Sequence, residues 1–89
     1  MDQGRRLDQW LWYSRLFKSR TGAQSAIETG AIRVNRVVVV KPAHLVRPGD
    51  VLTFVRGSLA IVVRVLAAGH RRGPAAEAAS LYEIVEPGA

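Results

Sequence analysis

The chain contains no cysteine and only two histidines, so disulfides and thiolate-bound metals are excluded. A structural metal site needs three or four ligands, and the isolated histidines cannot supply them; we therefore predict no metal. Long apolar runs are also missing. The longest, Leu59–Leu66, includes Arg64 and is far shorter than the roughly 20 residues of a membrane span. We expect a protein of the reducing cytoplasm that has no membrane partner.

Sequence signatures of catalysis are equally scarce. The segment Gly57-Ser58-Leu59 lacks the G-x-S-x-G spacing of a nucleophile elbow, and no glycine-rich phosphate loop occurs. The carboxylates are scattered, and we interpret Asp8 as a favourable charge at the start of a helix and Asp50 as a turn residue. The sequence therefore predicts a non-catalytic binding protein that needs no cofactor.

Acidic residues are few in comparison with basic ones. The chain has 13 Lys and Arg against 7 Asp and Glu, a formal net charge of +6. Nine of the cations lie between Arg5 and Arg47, where only two acidic residues occur. Solubility does not require such clustering, which is typical of proteins that bind nucleic acid or an anionic membrane. The lack of an amphipathic basic helix argues against the membrane.

Two predicted helices come first in the chain. Apolar residues recur at helical spacing over residues 7–17, with Trp10 on the buried side. Thr21 and Gln24 have the spacing of a capping box, which predicts a second helix over residues 22–29 that ends at Gly30.

Beyond Gly30 the apolar period changes to that of strands. We predict a hairpin that turns at Asn35-Arg36, although Arg36 fits poorly where a type I′ turn favours glycine. Either the loop is longer than two residues or the charge of Arg36 is useful there. The pattern predicts further strands at residues 51–56, 59–66 and 81–85, and an exposed, mobile loop at 69–79.

Several blocks, in order, resemble the S4 RNA-binding domain family. They are Arg6-Leu7-Asp8, Phe17-Lys18-Ser19-Arg20-Thr21, Ala23, Gly30, Val34-Asn35, Val40-Lys41-Pro42 and Gly49-Asp50. Two further blocks are similar to the small, ribosome-associated bacterial heat-shock proteins of that family. These are Trp10-Leu11-Trp12 and residues 71–78 followed by Leu81-Tyr82-Glu83.

The resemblance implies an α+β protein with the S4 (alpha-L) fold, in which two N-terminal helices pack on a small, mostly antiparallel sheet. We expect one domain over residues 1–89, with its core motif at 5–56 and C-terminal strands and a mobile loop at 57–86. The resemblance also implies docking on structured rRNA of the free large ribosomal subunit, including subunits that carry peptidyl-tRNA, in stalled-ribosome recycling or a stress response. We expect a monomer.

Two alternative functions remain open. The chain could target a separate RNA-modifying enzyme to RNA, or it could be an adapter that pairs a sheet edge, at residues 59–66 or 81–85, with a protein.

Structured RNA is contacted mainly through phosphates and 2′-hydroxyls, so Lys, Arg and nearby polar donors are the expected ligands. Lys18 and Arg20 flank the start of the second helix, where unpaired backbone N–H groups also favour a phosphate. We expect these side chains on one side of the molecule, and Arg47 and Arg56 are weaker candidates. The predicted RNA-binding residues are Arg5, Arg6, Arg15, Lys18, Arg20, Thr21, Gln24, Arg33, Asn35, Arg36 and Lys41.

Overall fold

The structure is a computed structural model that describes residues 4–85. The elements in that part of the chain follow in order. They are β1 (Arg5–Arg6), α1 (Leu7–Tyr13), α2 (Arg20–Glu28), β2 (Ile32–Val34), β3 (Val37–Val39), β4 (Leu45–Val46), β5 (Val51–Arg56), β6 (Leu59–Val65), α3 (Ala75–Ala79) and β7 (Tyr82–Ile84).

The main sheet has five strands in the order β3-β2-β5-β6-β7, and every neighbouring pair is antiparallel. β1 and β4 form a separate two-stranded antiparallel sheet, which the sequence pattern did not predict. The predicted α+β class, with two N-terminal helices and an antiparallel sheet, is confirmed.

The core lies between α1, α2 and one face of the main sheet. Leu7, Trp10 and Leu11 from α1 and Ile27 from α2 are fully buried against the strands. The indole Nε1–H of Trp10 donates to the carbonyl of Ala67 at 2.8 Å, so the polar end of this buried ring is satisfied. The prediction that Trp10 is a core residue is confirmed.

The first helix is shorter than predicted, because it ends at Tyr13 instead of Phe17. Ser14 donates from its hydroxyl to the carbonyl of Leu11, and Arg15 takes a left-handed conformation with φ of 62°. A left-handed residue cannot continue a right-handed helix. Leu16 is nevertheless buried, so the apolar spacing beyond Tyr13 reflects a loop folded onto the core.

The second helix begins at Arg20, and its N-cap is Ser19 instead of Thr21. The Ser19 hydroxyl oxygen accepts a hydrogen bond from the backbone N–H of Gly22 at 2.9 Å. The predicted capping box is therefore wrong, and the Gln24 side chain donates to Asp8 instead. The predicted end of the helix at Gly30 is confirmed, since Gly30 has a φ of +80° just beyond the last turn.

The β2–β3 hairpin has a tight two-residue turn, as its register pairs Val34 with Val37. Asn35 and Arg36 both have positive φ, 51° and 73°, as a type I′ turn requires. The Asn35 side chain donates to Asp50 Oδ1 at 3.0 Å and accepts from the N–H of Val51 at 2.9 Å. The turn is therefore undistorted. Arg36 itself adopts the left-handed conformation that the turn requires, although glycine is favoured at this position.

Residues 69–79 do not form a loop without regular structure, because α3 occupies Ala75–Ala79. The preceding residues are held against α1 by arginine side chains. Arg72 donates to the carbonyls of Trp12 and Phe17, and its guanidinium carbon lies 5.2 Å from the Trp12 ring centroid. The sequence shows turn residues here but not these contacts.

Candidate nucleic-acid interface

A buried carboxylate organises the region where α1 and α2 begin. The Asp8 side chain is fully buried and accepts from Arg6 Nε and Nη2, both at 3.0 Å. It also accepts from Gln24 Nε2 at 2.8 Å, and Arg20 Nε lies 3.4 Å from Oδ2. We call these four residues the Asp8 cluster. It brings together three of the predicted RNA-binding residues around an acid that sequence reasoning had not included.

The carboxylate of the Asp8 cluster is charged despite its burial. Burial raises the pKa of Asp8, but hydrogen bonds from Arg6, Gln24 and the backbone N–H of Gln9, together with the charge of Arg20, lower it further than burial raises it. The net pKa therefore lies below its ordinary value. The same contact raises the pKa of Arg6 above its ordinary value. The cluster is thus a permanent ion-pair network at neutral pH.

The backbone fixes where the Asp8 cluster lies. The N–H of Leu7 donates to the carbonyl of His44 at 2.8 Å, and that of Asp8 donates to the carbonyl of Pro42 at 3.2 Å. The segment that carries Lys41 therefore abuts the start of α1. Lys41 is exposed and contacts no other side chain by hydrogen bond or ion pair within residues 4–85.

Asp8 occupies only some of the hydrogen-bond donors of the two arginines in its cluster. A guanidinium has five N–H donors, and Asp8 occupies one edge of Arg6 and only the Nε of Arg20. The side chains are 42% and 39% exposed, respectively. Each arginine is therefore anchored at one end and retains donors that solvent or a ligand can reach.

A second basic feature is a cleft of about 410 Å³ between the loop after α1 and the end of β5. Its lining includes the cations Arg15, Lys18 and Arg56, and none of the acidic residues in the described chain. The Arg56 guanidinium lies 5.8 Å from the ring centroid of Phe17 and donates to the carbonyl of Leu16. Arg56, a weaker candidate from sequence, therefore joins two predicted residues.

The hairpin tip forms a third group, separate from the other two. Arg33 is exposed on the sheet face opposite the buried Ile32 and Val34, and its Nη1 donates to the carbonyl of Arg36 at 3.3 Å. Arg36 and Asn35 border a shallow depression with Val51 and Thr53 on that side. Among residues 4–85, no hydrogen bond or ion pair joins this tip to the Asp8 cluster.

Two other predicted residues have structural contacts with the segment that precedes α3. Arg5 Nη2 donates to the carbonyl of Gly69, and Arg15 Nε donates to that of Gly73, both at 2.8 Å. The Arg5 guanidinium also lies 5.5 Å from the ring centroid of Tyr13. Thr21 is exposed in the first turn of α2. The eleven predicted residues therefore do not share one network of contacts, and the Asp8 cluster is the most tightly connected group among them.

Asp8 is the residue that sequence reasoning left out of the site. Arg6 precedes Asp8 by two residues, whereas Arg20 and Gln24 follow it by twelve and sixteen residues. No local sequence pattern therefore reveals the whole set of partners. The available signal is the Arg5-Arg6-Leu7-Asp8 sequence, which places an acid two residues after a basic pair at the start of a helix.

Features of two other functional classes are missing from the described part of the chain. No group of three or more potential metal ligands comes together within it. None of its helices has the length and apolarity that crossing a membrane requires.

Comparison with known proteins identifies similar chains. The sequence model of the S4 domain matches residues 5–52. Heat shock protein 15 of Escherichia coli (strain K12) is 41% identical over 78 residues, which cover 88% of this chain and 58% of that protein. The chain therefore spans less than two thirds of the length of this relative.

Two further similarities cover more of the matched protein. The RQC P-site tRNA stabilizing factor of Listeria monocytogenes is 36% identical over 81 residues, which cover 91% of this chain and 86% of that one. A solved structure of Vibrio cholerae heat shock protein 15, described as trimeric, superposes with a TM-score of 0.87 at 30% identity. The superposition covers 93% of this chain and 83% of the other.

Proposed function

The chain belongs to the S4 domain family, and on that premise we propose that it is a non-catalytic RNA-binding protein that docks on structured rRNA. We further propose that residues 1–89 act as a single S4-like unit in the cytoplasm. Its target would be the free large ribosomal subunit, including subunits that carry peptidyl-tRNA, during recycling of stalled ribosomes or under stress.

The observation that carries this proposal is the Asp8 cluster. It holds two arginines at the surface with unused donors, and backbone hydrogen bonds join the start of α1 to the residues that follow the exposed Lys41, whose side chain has no partner among the described residues. Phosphate groups are the ligands that such fixed guanidinium donors favour. Contacts of this kind recognise the shape and backbone of folded RNA without requiring a reacting group.

The names of the relatives support the finer part of the proposal. One relative is named for stabilising tRNA in the P site, and others are named as heat shock proteins. We infer by similarity that this chain also acts at the ribosome. One chain contains the complete Asp8 cluster, so we propose that a monomer binds; sedimentation velocity would distinguish it from the trimer described for the Vibrio structure.

The proposal is tested by sedimenting the protein through sucrose gradients with separated large subunits, small subunits and intact ribosomes. We expect it to migrate with the large subunit and to leave that fraction as salt rises. If about five phosphates are contacted, log K should fall with log salt with a slope of about −4 to −5. Affinity would then drop by a factor of roughly 250 to 1,000 between about 50 and 200 mM salt.

A flat salt response would contradict the proposal. Two outcomes would favour the alternative functions instead. Copurification with an RNA-modifying enzyme and without large subunits would indicate a targeting partner. A protein complex that survives nuclease treatment would indicate an adapter that pairs with the edge strand β7. The other expected edge, at residues 59–66, is wrong, because β6 lies between β5 and β7 in the main sheet.

A further inference from the structure

Arg6 and Arg20 come from different elements, β1 and α2, yet both contact the same oxygen of Asp8. Arg6 Nη2 lies 3.0 Å from Oδ2 and Arg20 Nε lies 3.4 Å from it. Two guanidinium groups that share one oxygen are close neighbours, and without an anion between them they would repel each other. The carboxylate is therefore what allows the two cations to stand side by side.

We propose that Asp8 is a positioning residue that holds Arg6 and Arg20 as a paired clamp for one phosphate group of the RNA backbone. This inference rests on the proposed RNA-binding function and specifies its central contact. Asp8 itself is fully buried and cannot touch the RNA. It acts through the two arginines, whose exposed donors remain available after they have bound the carboxylate.

Preorganisation explains why an RNA-binding surface contains an acid at its centre. Long arginine side chains lose rotamer freedom on binding, and a surface that has already fixed them loses less. Asp8 fixes Arg6 at two nitrogens and Arg20 at one. Gln24 donates to the same carboxylate at 2.8 Å and so satisfies it without adding charge. The acid reduces the net positive charge but fixes the direction in which the remaining donors point.

For the loss of the Asp8 charge, the clamp and simple electrostatic attraction predict opposite changes in RNA affinity. Replacing Asp8 by Asn raises the formal net charge of +6 by one unit. If the surface attracts RNA only by its charge, Asp8→Asn should bind more tightly. If Asp8 positions the clamp, the variant should bind less tightly, because the arginines lose their shared anchor.

The experiment compares Asp8→Asn with Glu28→Gln, measuring affinity for purified large-subunit rRNA at several salt concentrations. Glu28 is exposed at the end of α2, so its variant makes the same change of charge outside the cluster. We expect Glu28→Gln to bind as well as the wild type or slightly better. We expect Asp8→Asn to bind about tenfold or more weakly, as for loss of a charge-assisted contact.

If Asp8→Asn does not fold, two further variants test the clamp. Arg6→Lys and Arg20→Lys keep the net charge but cannot reproduce the forked geometry of the guanidinium. The clamp predicts weaker binding by each variant with little change in the salt slope, since the number of cations is unchanged. Circular dichroism and thermal melts establish that each variant is folded at the temperature of the assay.

The possible failures are distinguishable. If the wild type does not bind rRNA, the proposed function itself is wrong. If the wild type binds but a folded Asp8→Asn matches Glu28→Gln, RNA binding stands and the positioning role of Asp8 is refuted. Wild-type affinity in both lysine variants would refute the clamp in the same way.

Discussion

The guanidinium of Arg6 donates two parallel hydrogen bonds to the Asp8 carboxylate, from Nε to Oδ1 and from Nη2 to Oδ2, each 3.0 Å long. The carboxylate is fully buried while the arginine side chain is 42% exposed. Such a pair is costly to break from the arginine side, since a buried carboxylate would lose its main partner. It therefore links the stability of the fold to the geometry of the candidate interface.

Acid should remove the contribution of Asp8 to stability. Its pKa is lower in the folded chain than its ordinary value of 3.8, so the folded state binds fewer protons than the unfolded state in this range. The contribution is therefore complete above about pH 4 and is lost as the pH falls through the folded pKa. Urea denaturation of the wild type should show unfolding free energy falling below about pH 4.

The control for this prediction is Asp8→Asn, which cannot titrate at that position. Its unfolding free energy should depend less on pH in the same range, even though the variant is less stable at neutral pH. Glu77 also has a lowered pKa, caused by its hydrogen bond with Arg71, and Glu77→Gln measures that separate effect. Parallel pH profiles of the wild type and Asp8→Asn would contradict the account.

The segment before α3 should depend on Arg72 for its attachment. Arg72→Ala removes the contact with the Trp12 ring and the hydrogen bonds to the carbonyls of Trp12, in α1, and Phe17, in the loop that follows α1. We expect a loss of about 1–2 kcal/mol in unfolding free energy. Arg71→Ala is the matched control, because Arg71 pairs with Glu77 at the surface and such pairs contribute little. Equal effects of the two variants would show that Arg72 does not anchor the segment.

The hairpin tip offers a test that separates strain from binding. Arg36 has a φ of 73°, where a side chain is unfavourable, so Arg36→Gly should stabilise the fold by about 1 kcal/mol. Gly57 has a φ of +63° with no atom within 4 Å of an added Cβ, so Gly57→Ala should destabilise by a similar amount through backbone strain alone. Thermal melts measure both effects. Stabilisation by Arg36→Gly combined with weaker rRNA binding would identify Arg36 as an RNA contact.

Local sequence rules predicted the elements whose causes are local. Gly30 was recognised because a helix that ends in a left-handed residue favours glycine, and the structure places it at a φ of +80°. The change of apolar period beyond Gly30 correctly predicted a strand there, and Ile32 and Val34 form the buried face of β2. The same rules extended α1 through Leu16 and Phe17, because buried loop residues can imitate helical spacing.

The Asp8 cluster could not be predicted by those rules. Periodicity tells which side of an element is buried, but not which side chains from different elements pair there. The partners of Asp8 on α2 are twelve and sixteen residues away, and Gln24 was assigned instead to a local cap. Because the N-cap is Ser19 and not Thr21, the Gln24 side chain takes no part in the cap and donates to Asp8 instead.

The central claim is that structured RNA binds through the arginines that Asp8 holds. The most direct test measures the affinity of the double variant Arg6→Ala/Arg20→Ala for large-subunit rRNA, beside a second double variant, Arg64→Ala/Arg71→Ala. Both lose two positive charges, but Arg64 and Arg71 pair with Glu83 and Glu77 away from the cluster. The account predicts that the first double variant loses far more affinity, with a salt slope lower by about two. Equal losses in the two double variants would contradict it.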